Sequence, residues 1–321
     1  MILWLTGNSG SGKTTLANKI KDTFYNWINL DGDDIRDSIS IDLSLSKNDR
    51  IENNIRVALL SKSLHEQGTN IVISSIAPYQ SGRDLVDKII DVKWIYLDGG
   101  KDGVEYPYEV GNYDRFVDIE SLNLNNVYLL GLPRSGTSMT THILELLGVN
   151  MIHTSEDKKE ATDKRFKNKY GEYHANPNGF FEITNNQFEN YLKVISKPYS
   201  GCKMIVPVNG IRWEIINKYP SKVIFMSRDV EEIRQSQMAY YKPSGVETAY
   251  LRTALVTQRV NLRKHKIDFL EVNYNELLKD KIEVISNIKE FINSDVGISS
   301  ACYFVQPKQN RFKSEELVNG L

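Results

Sequence analysis

An α/β protein built from two parallel-sheet domains is what the sequence predicts, and three observations carry the prediction. First, two stretches follow the order apolar strand, glycine-bearing turn, helix. Ile2 to Leu5 runs into Gly7-Asn8-Ser9-Gly10-Ser11-Gly12-Lys13-Thr14, and Val127 to Leu130 runs into Gly131-Leu132-Pro133-Arg134-Ser135-Gly136-Thr137-Ser138. Second, strand and helix patterns alternate after each, as in parallel sheets with helical crossovers. Third, Glu120 to Asn126 is a polar, asparagine-rich joint, short enough to imply packed domains rather than a flexible tether. The expected architecture is two P-loop-type three-layer α/β/α domains, residues 1–122 and 127–321.

Composition narrows the class. The 321 residues are 40% hydrophobic and 25% charged, with a net charge of −1, values of an ordinary globular protein. So even a balance gives no support to nucleic-acid or membrane-surface binding as the main activity, and any basic site must be local. The two cysteines, Cys202 and Cys302, are too few for a disulfide framework or a zinc site, which points to a reducing compartment. Met1-Ile2-Leu3-Trp4-Leu5 is too short an apolar run for a signal peptide or a membrane span, and no later run is long enough either. A cytoplasmic protein is expected.

The first loop is a full match to Gly-x4-Gly-Lys-Thr. Its glycines let the backbone wrap a β-phosphate, Lys13 reaches the β/γ-phosphates, and Thr14 can hold the Mg²⁺ that accompanies ATP. The predicted ATP contacts are Gly7, Ser9, Gly10, Ser11, Gly12, Lys13, Thr14 and Thr15, with a helix from Thr15 to Phe24. Strand Trp27 to Leu30 then delivers Asp31-Gly32-Asp33-Asp34-Ile35-Arg36 beside the loop, where a carboxylate can orient Mg²⁺ or take a proton from an attacking hydroxyl. Arg50 and Asn53 lie three apart on a helix reaching Gly68, so they share one face.

Trp4-Leu5-Thr6 with this loop, Leu30 to Arg36, Asp49-Arg50 with Asn53 and Arg56, and Ser75-Ile76-Ala77-Pro78-Tyr79 with Arg83-Asp84 together resemble adenylylsulfate kinase over about the first 98 residues. The resemblance implies transfer of the γ-phosphate of ATP to adenylyl sulfate, giving 3′-phosphoadenylyl sulfate (PAPS). It makes Asp33 the base or Mg²⁺ organiser, Arg36, Arg50 and Asn53 contacts to adenylyl sulfate, and Ile76 and Pro78 part of the pocket wall. Such kinases carry a basic helical lid after the strand matching Lys93 to Leu97. Here Asp98-Gly99-Gly100-Lys101-Asp102-Gly103 leads almost at once to Tyr106-Pro107-Tyr108-Glu109, a segment similar to the one beyond the lid. With the lid deleted, phosphoryl transfer is expected to be slow, to depend on the second domain, or to be lost.

In the second loop Thr137 stands where a triphosphatase needs lysine, and Arg134 is the only cation in the loop. That suits a phosphate or sulfonate ligand with no γ-phosphate to move. Pro133 to Ser138 resembles the loop with which sulfotransferases hold the 5′-phosphosulfate of PAPS, which makes Arg134, Ser135, Gly136, Thr137 and Ser138 donor contacts. Strand Lys222 to Met226 ends at Ser227-Arg228-Asp229, and Arg228 with Ser236, eight residues on, has the spacing with which that family grips the 3′-phosphate. Helices Val230 to Tyr241 and Thr248 to Lys264, strand Asp268 to Val272 and helices from Tyr274 to Ile292 complete a resemblance over about residues 127–293. For the base, Glu182, in a segment similar to Asn-Pro-x-Gly-Phe-Phe-Glu of bacterial sulfotransferase-like proteins, Glu156, spaced as in tyrosylprotein sulfotransferases, and His153 remain open.

The expected function is therefore bifunctional: adenylyl sulfate is phosphorylated with ATP and Mg²⁺, and the PAPS is spent on a hydroxyl or amine acceptor, releasing adenosine 3′,5′-bisphosphate (PAP). Two alternatives stand beside it, a sulfotransferase with an inactive nucleotide-binding front domain and a small-molecule kinase with a non-catalytic rear domain. The acceptor is unspecified, and a homodimer is left open.

Overall fold

A computed structural model of the chain describes residues 1–101, 107–111, 113–115, 122, 124–152, 194–205, 211, 213–241 and 247–305. It divides into two compact units, residues 1–122 and 123–321.

In the first unit, β1 (Ile2–Thr6), α1 (Lys13–Thr23), β2 (Trp27–Asp31), α2 (Gly32–Arg36), α3 (Lys47–Glu66), β3 (Asn70–Ser74), α4 (Gln80–Asp87), β4 (Lys93–Tyr96) and β5 (Asp114–Arg115) follow in order. The sheet order is β2-β3-β1-β4-β5, with every pairing parallel. The step from β1 to β2 runs towards one edge and every later step runs the other way. Right-handed crossovers then put α1 on one face and α3 and α4 on the other. The core agrees: Val57 and Ala58 of α3 and Val86 of α4 pack with Ile2, Trp4, Ile71, Ile73 and Trp94, one side of the pleat. All five residues of β1 are buried, as a central strand covered on both faces requires.

In the second unit, β6 (Asn126–Gly131), α5 (Thr137–Leu146), β7 (Asn150–Met151), β8 (Ser200–Ile205), α6 (Trp213–Lys218), β9 (Ser221–Ser227), α7 (Val230–Tyr241), α8 (Thr248–Lys264), β10 (Phe269–Asn273), α9 (Tyr274–Lys279), α10 (Lys281–Phe291) and α11 (Ser299–Phe304) are described. The order β10-β9-β6-β8-β7 is again parallel throughout. Ile143 and Leu144 of α5 pack with Val127, Leu129, Ile224, Met226 and Val272, joined by Ile285 and Ile288 of α10 and Ala301 of α11. On the opposite face Arg259 of α8 lies over the Phe225 ring at 5.8 Å and pairs with Glu271, the register neighbour of Phe225.

Both units are thus parallel three-layer α/β/α structures, as expected. The expected helical run from Tyr274 breaks at Asp280, whose carboxylate accepts from Glu283 N at 3.2 Å and restarts the helix. Among the described helices none is long and apolar enough to cross a membrane.

Candidate functional sites

In the first unit Gly12 (φ +91) caps the start of α1, and Gly7 (φ +137) and Gly10 (φ +83) complete a loop that only glycine can shape. The helix begins at Lys13, two residues earlier than expected, so its free N–H groups converge on the loop. Lys13 is buried, and its ammonium donates to Gly7 O at 3.0 Å and Asn8 O at 2.7 Å. Burial pulls its pKa below the ordinary lysine value, an effect offset in part by Asp31 and Asp33. After β4 the chain turns back over this loop: Leu97 N donates to Thr6 O at 2.9 Å and Lys101 N to Ser9 O at 2.8 Å. Gly100 fits there because a Cβ would lie 2.6 Å from Ser9 O.

A cavity of about 330 Å³ runs from Ser9, Gly10 and Gly12–Thr15 to Asp33, Arg36, Arg50 and Asn53, with Ile76 to Pro78 on its wall. Of the expected front-site residues, Gly7 and Ser11 do not line it; Gly7 sits under Leu97 O, where a Cβ would lie 2.3 Å away. Burial and the neighbouring Arg50 lower the pKa of Arg36, against Asp33 and Asp49. Two guanidiniums facing one cavity make an anion site. Asn53, 2% exposed, has a side-chain oxygen with no partner among the described residues, the kind of buried acceptor a ligand donor would satisfy.

Asp31, outside the expected residue set, proves central. Its carboxylate accepts from Thr14 Oγ1 at 2.7 Å, Ser74 Oγ at 2.8 Å and Asp33 N at 3.0 Å. Partial burial works to raise its pKa, but these hydrogen bonds prevail and hold it below the usual value. The wall of the cavity rests on Pro107 to Glu109: Tyr108 Oη bonds Thr6 Oγ1 at 2.7 Å, and Glu109 N donates to Pro78 O at 2.8 Å. Residues 97–106 separate β4 from this segment.

In the second unit β6 ends at Gly131, Ser135 Oγ closes the turn on Leu132 O at 2.8 Å, and Gly136 (φ +97) caps α5. Arg134 Nε donates to Ser236 Oγ at 3.0 Å. Arg228, 8% exposed, pairs through Nε with Glu232 at 2.8 Å, donates from Nη1 to Arg134 O at 3.2 Å, and covers the Tyr274 ring at 4.4 Å. Arg134 to Ser138, Arg228 and Ser236 therefore come together. Lys203, fully buried on β8, reaches Ser138 Oγ at 3.2 Å. The loop's charge is thus not Arg134 alone; an ammonium enters from the neighbouring strand. His153, Glu156 and Glu182 lie outside the described residues.

Residues 126–293 match the family model described as a sulfotransferase domain, more than half of the 321 residues. The chain belongs to the sulfotransferase domain family. Residues 1–100 match the adenylylsulphate kinase model, so an adenylylsulphate kinase domain precedes the sulfotransferase domain, and both families are transferases. An adenylyl-sulfate kinase of Bacillus velezensis is 42% identical over 93 residues, covering 28% of this chain and 47% of the relative. The chain spans about half the length of the curated relatives it matches. The Mycobacterium tuberculosis APS kinase structure with AMPPNP and APS is 30% identical, covers 30% of this chain and 61% of its own, with a TM-score of 0.28. A mouse sulfotransferase, SULT7A1, complexed with PAP is 16% identical, covers 58% of this chain and 66% of its own, with a TM-score of 0.34. In the sulfotransferase domain the residues that sequence reasoning passed over are Lys203, Glu232 and Tyr274. Burial raises the Tyr274 pKa, against the pull of Arg228 and Arg134.

Proposed function

We propose that the chain makes PAPS in its front domain and spends it in its rear domain. One observation carries the first half: Arg36, Arg50 and the side-chain carbonyl of Asn53, which has no partner among the described residues, share a cavity with the phosphate loop, so a nucleotide's phosphates and a second anionic substrate can meet there. Asp33 takes the proton of the 3′-hydroxyl of adenylyl sulfate; that oxygen bonds to the γ-phosphorus of ATP and the bond to ADP breaks. Thr14 Oγ1 and the Asp31 carboxylate, 2.7 Å apart, form a hard-oxygen donor set that fits Mg²⁺. Bound with ATP, that ion would neutralise charge on the β- and γ-phosphate oxygens.

In the rear domain, Arg228 and Ser236 hold the 3′-phosphate of PAPS, and Ser135 to Ser138 with the start of α5 hold the 5′-phosphosulfate. The acceptor oxygen or nitrogen bonds to sulfur as the bond to the bridging oxygen breaks. Arg134 takes up the charge on that oxygen, and PAP leaves. Glu182, Glu156 or His153 supplies the base. Placing producer and consumer in one chain raises the local concentration of the intermediate.

The short 97–106 connection favours a second reading, in which the front domain binds nucleotide without turning it over. Lys13→Ala separates the two. With ATP, adenylyl sulfate and a hydroxyl acceptor, the wild-type chain is expected to yield ADP, PAP and sulfated product, and the variant none, while both use supplied PAPS equally. Failure of the wild-type chain to form PAPS, with sulfuryl transfer from supplied PAPS intact, selects the second reading. Absence of PAP binding and of transfer from PAPS removes the rear-domain assignment.

A further inference from the structure

Arg134 occupies an unfavourable backbone conformation, with φ at +73, where a non-glycine residue crowds its own carbonyl. Such residues persist only where their surroundings hold them. The peptide groups on both sides of Arg134 are held: Pro133 O accepts from Gln237 Nε2 at 3.1 Å, and Arg134 O accepts from Arg228 Nη1 at 3.2 Å. A third strut joins Arg134 Nε to Ser236 Oγ at 3.0 Å.

These struts differ in what a ligand does to them. Arg228 and Ser236 are the residues read above as 3′-phosphate contacts, so a bound donor competes for their hydrogen bonds. Gln237 is 7% exposed and its amide is engaged with a backbone carbonyl. That carbonyl can only accept, so the side chain there must donate, and a buried carbonyl left unpaired is costly. A neutral amide meets the need without adding a further positive charge beside Arg134 and Arg228.

We propose that Gln237 is a positioning residue for sulfuryl transfer, the strut that keeps Arg134 in its left-handed conformation after donor binding has drawn Arg228 and Ser236 away. The inference rests on the donor-site reading of residues 131–138. It makes Gln237 matter to the placement of the Arg134 guanidinium on the bridging oxygen and not to the grip on the bisphosphate.

The test uses the full chain and three readouts: calorimetric affinity for PAP, turnover of PAPS, and thermal midpoint. Turnover is followed with water as acceptor, which needs no identified substrate: a water oxygen bonds to sulfur, the bond to PAP breaks and a proton is released. Gln237→Glu keeps the shape and faces Pro133 O with an acceptor, and Gln237→Met keeps the volume with no donor. Both variants are expected to lose at least about tenfold in kcat, because small misplacements of a reacting group are amplified in rate, with PAP affinity within threefold of wild type. Wild-type turnover with both variants within twofold in kcat overturns the inference. So does a parallel loss of PAP affinity and kcat, or a loss of kcat that follows only a lowered thermal midpoint. No PAP binding by the wild-type chain instead removes the donor-site reading on which the inference stands.

Discussion

Arg83 Nη1 donates to Ala77 O at 2.6 Å from a guanidinium with no solvent exposure. Ala77 has φ +43 and precedes Pro78, so its conformation is disfavoured twice. The same guanidinium donates to Tyr113 Oη at 2.6 Å, to Gln80 Oε1 at 3.0 Å and to Glu109 O, and lies against the rings of Tyr108 and Tyr113. It makes no ion pair among the described residues. Arg83→Met removes the charge at similar volume but leaves the Ala77 and Glu109 carbonyls unpaired, at about 1–3 kcal/mol each. The front domain is expected to lose about 3 kcal/mol. Urea unfolding followed by fluorescence reads this directly, because Trp4, Trp27 and Trp94 of the four tryptophans lie in that unit. A change below about 1 kcal/mol would show that the strained wall stands without Arg83.

Asn53 leads to the opposite balance of stability and binding. Its buried oxygen has no partner among the described residues, so no hydrogen bond there holds the free protein together, and Asn53→Leu is expected not to lower the thermal midpoint. Binding of adenylyl sulfate is expected to weaken at least about tenfold, or about 1.4 kcal/mol, since the ligand loses a buried hydrogen bond. Calorimetric titration of both proteins with adenylyl sulfate decides it; equal affinities would remove Asn53 from the substrate site.

The ion pair of Arg228 and Glu232 has side chains only 6% and 2% exposed, and Asn275 Nδ2 adds a bond to Glu232 at 3.0 Å. Breaking such a pair from one side costs about 3–5 kcal/mol, whereas replacing both partners with apolar groups of like volume can be nearly neutral. Glu232→Leu is therefore expected to destabilise the rear domain by about 3–5 kcal/mol, and Arg228→Met with Glu232→Leu by clearly less than the sum of the single changes. Additive losses in denaturant melts would mean that the two charges do not compensate one another. For ligand work Arg228→Gln, which keeps a donor towards Glu232, separates lost PAP binding from lost folding.

Much of this was legible in the sequence because a phosphate loop is local: glycine spacing fixes backbone, backbone fixes N–H direction, and one helix follows. Gly12, Lys13, Gly136 and Arg134 could therefore be placed from eight-residue stretches. Arg228 and Ser236 were singled out through the family resemblance, from an arginine at a strand end and a serine eight residues on. Lys203 was not, because it interrupts the apolar run of β8, and only its pairing with β6 brings it to Ser138. Asp31 was passed over for Asp33 because spacing alone does not say which carboxylate meets Thr14; the end of β2 beside β3 decides that. Arg83 stands in one of the kinase-like motifs, but its burial was not legible, because Tyr108, Glu109 and Tyr113, which it contacts, come later in the chain.

Asp31 gives a pH dependence whose sign follows from its hydrogen bonds. They hold its folded-state pKa below the ordinary value, while the unfolded chain titrates near about 3.9. The folded state thus binds this proton less readily. The contribution to stability is fully present above the unfolded pKa and is lost as pH falls through the folded one. Asp31→Asn retains a cap for α2 and an oxygen for Thr14 but has no charge to lose. The variant is expected to melt below wild type at pH 7, with the difference narrowing as pH falls from about 5 to about 3. Calorimetric melting of both proteins across that range measures it. A gap that stays constant, or widens in acid, would mean that the Asp31 carboxylate is not stabilised by Thr14, Ser74 and Asp33 in the folded protein.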